Sequence, residues 1–167
     1  MEPNAPSQWP APVSPAVAEA DGYVTIPKVA VAPDADTVYR AIFDATRGAP
    51  DRKQLLPAVN MAGSELNALA ASGVPLDRAK FALVFHGSAI DGLLDETHYR
   101  AKYRVGNPNL AAIAALKKAG VELFVCGQQL AADNVDLASL TSDVVVASDA
   151  LIVLMTYHDK GYAILSF

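Results

Sequence analysis

Residues 81–88 read FALVFHGS and residues 107–128 read NPNLAAIAALKKAGVELFVCGQ, and the fold is decided by these two stretches. Phe81–Phe85 is an unbroken apolar run, which predicts a strand covered on both faces. It stops abruptly at His86-Gly87-Ser88. In the second stretch Asn107-Pro108 supplies a cap and a first-turn proline. Leu110, Ile113, Ala114 and Leu116 then line a helix that Lys117 and Lys118 suit at its negative end. Gly120 closes that helix, and Val121–Val125 is a second apolar strand ending at Cys126-Gly127.

The same alternation extends in both directions. Tyr39–Asp44 predicts a first strand, and Ala45–Lys53, with Gly48 and Pro50, a loop. Leu55, Val59, Ala62, Leu66 and Leu69 recur at three- and four-residue steps, as one apolar helix face requires. The polar, aromatic stretch from Asp91 to Val105 reads as a loop. Beyond Cys126 the pattern predicts a short helix over Gln128–Asp133 and a short strand at Val144–Val146. A helix over Ala150–Lys160, capped by Ser148 or Asp149, and a last strand at Tyr162–Leu165 complete the chain. Strands separated by helices need crossover connections and a mostly parallel sheet. The expected fold is one three-layer α/β/α domain over residues 37–167, preceded by an extended Pro/Ala-rich arm over residues 1–36.

In that arm Pro3, Pro6, Pro10, Pro12 and Pro15 alternate with small residues without a period, and Trp9 is a candidate to dock it. The apolar residues Val24, Ile26, Val29 and Val31 either reach a neighbouring copy or fold back on their own domain. A tail of this composition fits the segment left after a removed leader, with Met1 as an added start.

Composition excludes several classes. The 167 residues carry 13 Lys plus Arg against 18 Asp plus Glu, a net charge of −5, which disfavours nucleic acid and anionic membrane surfaces. No apolar run approaches the roughly 20 residues of a membrane span. One cysteine allows no intrachain disulfide, and His86, His98 and His158 lack metal-ligand spacing. No GxGxxG, Walker or GxSxG pattern occurs, so neither metal nor cofactor is expected.

Open parallel sheets bind ligands outside the carboxyl ends of their strands. Asp44, His86 and Cys126 fall at three such ends. Gly87 and Gly127 follow two of them and let the backbone turn tightly toward a ligand. Cys126 has two readings: a small buried apolar residue, or a thiol that a helix N-terminus, an imidazolium or Lys102 holds as a nucleophile. His86 is either its acid–base partner or a hydrogen-bonded capping residue. His98, Tyr99, Lys102 and Tyr103 crowd the 91–105 segment, which either closes over the strand ends or is a surface loop or subunit contact.

LVFHGSAIDGLL, then Tyr99 and Lys102, then NPNLAAIAALKKAGVELFVCGQ and the closing DKGYAILSF together resemble the DsrE-like family. The resemblance covers Phe81–Phe167 closely and Tyr39–Leu69 more loosely. It implies a mainly parallel five-stranded sheet and assembly as a trimer or hexamer. It also implies a cysteine at Cys126 that relays sulfur as a persulfide, accompanied by His86, with Gln128 in the same motif. The chain looks most like small single-domain bacterial members made with an export signal, which implies a periplasmic home, the alternative being cytoplasmic. The expected function is a persulfide carrier or sulfurtransferase with a donor or acceptor protein as partner. The alternative is a non-catalytic small-ligand-binding or assembly module, with a redox-sensing thiol as a third reading.

Overall fold

The computed structural model describes residues 8–167, so the expectations for Met1, Pro3 and Pro6 fall outside the described residues. Five strands form one sheet: β1 (Tyr39–Ala45), β2 (Ala79–Phe85), β3 (Glu122–Cys126), β4 (Val145–Ala147) and β5 (Ala163–Ser166), in the order β4-β3-β2-β1-β5. Every pairing is parallel. β2 is the middle strand and all its residues but Lys80 are buried, which is why its sequence is a continuous apolar run.

Helices cover the two faces unequally. Helix α1 (Pro57–Ala71) and helix α3 (Asn109–Lys118) pack over the face carrying Phe43, Leu83, Phe85 and Val125. Phe43 and Phe85 are fully buried there, each contributing roughly 2–3 kcal/mol of apolar transfer. The opposite face carries Ile42, Ala82, Val84 and Cys126, and among the described residues the helix that covers it is α5 (Ala150–Asp159). Asp149 caps α5 by accepting the N–H of Leu151 at 2.7 Å. The outer side of α5 leaves Leu151, Ile152 and Met155 exposed.

Two regions differ from expectation. The stretch 91–105 is not a loop: it ends a 3-10 turn over Gly87–Leu93 and then forms helix α2 (Glu96–Tyr103). Asp95 caps α2 through the N–H of His98, and Tyr99 is its one buried residue. The arm is also more tightly held than its proline content suggests. Val17 is fully buried in the main core, and Val13 and Tyr23 form an antiparallel bridge. The clamp is Asn67 of α1, whose Oδ1 accepts the N–H groups of Ala16 and Val17 while its Nδ2 donates to the carbonyls of Val17 and Asp21. A buried amide with four polar atoms of one segment to satisfy holds that segment in one place.

Candidate functional site at the carboxyl edge of the sheet

The strand ends bring three of the expected residues onto one face. Ile42, Val84 and Phe124 all belong to the α5 side, so two residues further on Asp44, His86 and Cys126 point the same way. The last β2–β3 pair is Phe85 with Val125, which places His86 beside Cys126 one step beyond it. The His86 N–H donates to the carbonyl of Ala45 at 3.0 Å, so the His86 backbone stays in the sheet.

The two side chains nevertheless have different partners. The His86 ring turns to β1, with Nε2 2.5 Å from Asp44 Oδ1, and both side chains keep about a fifth of their surface in solvent (22% and 18%). Cys126 is 6% exposed, and its sulfur accepts the backbone N–H of Ala150 at 3.3 Å. Ala150 is the first residue of α5, so the thiol sits at the positive end of a ten-residue helix. The following helix, α4 (Gly127–Ala132), does not supply the donor. No hydrogen bond joins His86 to Cys126 among the described residues.

The other expected binding residues lie elsewhere on the edge. Gly87 adopts φ +58°, and a Cβ there would stand 2.9 Å from the carbonyl oxygen of Thr46, so only glycine fits this turn. Gly127 packs as closely on the carbonyl of Ala147. Gln128 is exposed on α4. Tyr99 is buried, and its hydroxyl donates to the carbonyl of Arg52 at 2.7 Å. Lys102 does not reach Cys126; its Nζ pairs with Asp91 Oδ1 at 2.8 Å. Gly87, Ser88, Asp91, Lys102, Gln129 and Asp133 border a polar hollow of about 420 Å³ on the α4 side. Gly87 is thus the point where that hollow meets the His86 turn.

The Asp91 cluster was not legible as a unit. Tyr103 donates its hydroxyl to Asp91, and the Arg52 guanidinium lies 4.3 Å above the Tyr103 ring. Burial of Asp91 opposes its ionisation. The hydrogen bonds from Lys102 and Tyr103, with the charges of Lys102 and Arg52, outweigh that and bring the carboxyl below its ordinary 3.8. A folded value below the unfolded one adds stability above about pH 4, and this fades as pH falls through the lowered value. Asp91→Asn should therefore flatten the acid limb of a stability–pH curve measured by urea denaturation; an unchanged limb would contradict this account.

Asn107 and Asn109 carry architecture. The Asn107 amide donates to the carbonyls of Gly92 and Leu94, and Asn109 Oδ1 accepts the N–H of Leu56 at 2.7 Å. They tie the 87–93 turn and the start of α1 to the start of α3.

The sequence matches the DsrE/DsrF-like family model over residues 40–167. The chain belongs to the DsrE/DsrF-like family. A protein of unknown function from Methanobacterium thermoautotrophicum has a similar structure, with a TM-score of 0.56 and 17% identity. The match covers 77% of this chain and 99% of that one, and at this identity it speaks for the fold alone. No curated protein matches the sequence. The match to the DsrE/DsrF-like family begins at Arg40, so the arm clamped by Asn67 lies outside the family segment.

Proposed function

We propose that this DsrE-like chain carries sulfane sulfur as a persulfide on Cys126. The observation that carries the reading is the Ala150 N–H directed at the Cys126 sulfur from the N-terminus of α5. A backbone N–H aimed at a sulfur from a helix N-terminus is a donor suited to a thiolate, the form that attacks. The deprotonated sulfur attacks the outer sulfur of a donor persulfide, R–S–SH. The new S–S bond forms on Cys126 as the donor's S–S bond breaks, and the donor leaves as R–S⁻. A proton from His86, oriented by Asp44, neutralises the leaving thiolate, and no external oxidant or reductant is consumed. With Cys126 6% exposed, the donor sulfur must arrive on a slender group at the strand edge.

Intact-protein mass after exposure to inorganic polysulfide tests the reading. Wild type is expected to gain mass in steps of one sulfur, Cys126→Ser none, and His86→Ala to gain it more slowly. No gain in wild type overturns the proposal.

Burial of Cys126 among Val84, Val153 and Leu154 favours a second reading, a small-ligand-binding or assembly module in which the sulfur only packs. On that reading Cys126→Ser binds and assembles as wild type does. The exposed outer side of α5, where Leu151 and Met155 are 61% and 64% exposed, supports self-association on either reading.

A further inference from the structure

The turn between β4 and α5 lies against the Cys126 strand end more closely than a side chain would allow. Gly127, unlike Gly87, is outside the left-handed region, so its own conformation does not call for glycine. Space does. A Cβ on Gly127 would stand 2.7 Å from the carbonyl oxygen of Ala147 and 3.4 Å from that of Ser148. The missing side chain lets residues 147–149, which lead from β4 into α5, rest directly on the start of α4. β4 is three residues long and its last pair is Ala147 with Cys126, so this turn sets where α5 begins relative to the sulfur.

A helix begins with N–H groups that have no partner inside it. In α5 the Leu151 N–H goes to Asp149 Oδ1 at 2.7 Å, and the Asp149 carbonyl accepts the N–H of Val153 at 3.2 Å. Side chain and main chain of one residue thus fix the first turn. A capping side chain reaches the second or third N–H of a helix and not the first. The first, on Ala150, is therefore left over, and Cys126 Sγ accepts it at 3.3 Å. How well that N–H is aimed depends on how firmly Asp149 holds the turn around it.

We propose that Gly127 and Asp149 are positioning residues of Cys126: Gly127 admits the β4–α5 turn against the strand end, and Asp149 holds the first turn of α5 so that the Ala150 N–H meets the sulfur. The inference rests on the reading of Cys126 as a working thiol. It moves Gly127 from the ligand contact expected of its sequence position to a spacer between two backbone segments.

Thiolate ultraviolet absorbance of the full chain tests it. Each variant is read against its own Cys126→Ser counterpart, at the pH where the wild-type signal is half its alkaline plateau. Asp149→Asn keeps a capping acceptor and Asp149→Ala does not, while both lack the charge, so the two differ in the cap alone. The thiolate-to-thiol ratio should be lower in Asp149→Ala than in Asp149→Asn by roughly threefold or more, as a loosened hydrogen bond to a charged group requires. Gly127→Ala should fall below wild type by a similar factor, because the Ala147 carbonyl must retreat and takes the start of α5 with it. Equal ratios in the two Asp149 variants, or a Gly127→Ala ratio at the wild-type level, would overturn the proposal. Mass gain from inorganic polysulfide, measured alongside, separates it from the carrier reading. The expected ratios in a protein that gains no sulfur contradict the carrier alone, and sulfur gain with equal ratios contradicts the positioning alone. A wild type with no Cys126 thiolate signal even at alkaline pH contradicts both.

Discussion

Ala150→Pro should slow sulfur loading of Cys126 by roughly tenfold or more. The substitution removes the N–H that reaches the Cys126 sulfur at 3.3 Å and sets the ring Cδ on the same side, so the sulfur loses its donor and must also shift. A hydrogen bond to a charged partner is worth about 1.5–3 kcal/mol, and about 1.4 kcal/mol is a factor of ten in rate. Proline is tolerated here because Ala150 is the first helical residue, where the N–H has no partner within the helix. The preceding Asp149 already has φ −158° and ψ 137°, the extended backbone that a residue before proline prefers. Ala150→Ser keeps the N–H and should load at close to the wild-type rate. Equal loading in the proline and serine variants, with α5 intact by circular dichroism, would remove the helix terminus from the mechanism.

The second large effect is on the arm. Asn67→Ala should cost about 3 kcal/mol in urea denaturation, because four hydrogen bonds worth about 1 kcal/mol each are lost while partial rehydration returns some of that. The loss is also local. Without the clamp Val17 leaves the core, and limited proteolysis should cut within residues 13–23 while residues 40–167 survive. A change below about 0.5 kcal/mol, with the arm still resistant, would show that Val17 packing rather than Asn67 holds it.

The fold was legible because its central strands are covered on both faces. FALVF had to be apolar without interruption, VELFV departs from that only at the exposed Glu122, and the helices between the strands had to carry crossovers. Helix α2 was hidden for the opposite reason. ETHYRAKY buries one side chain, Tyr99, so it has almost no apolar period, and its one local signal was Asp95 ahead of it as a cap. The arm's docking was invisible because its polar partners are two amides of α1, Asn67 at 50 residues from Val17 and Asn60 at 39 residues from Asp21. At the site, the shared edge of Asp44, His86 and Cys126 follows from strand ends and parity, both readable in the sequence. The pairings do not. His86 chooses Asp44 across 42 residues, and Cys126 takes its donor from α5 rather than from the helix that follows it. Lys102 is drawn off to Asp91 by a hydrogen bond that only the packing of α2 creates.

The central claim is that Cys126 both accepts and releases sulfur, and one labelling experiment addresses it most directly. Folded protein is loaded from a donor carrying a heavy sulfur isotope, freed of that donor, and then given a small thiol acceptor. The account predicts that the label appears on the peptide containing Cys126 and then passes to the acceptor, with neither step seen in Cys126→Ser. Label that never reaches that peptide, or that arrives and cannot be passed on, would contradict it.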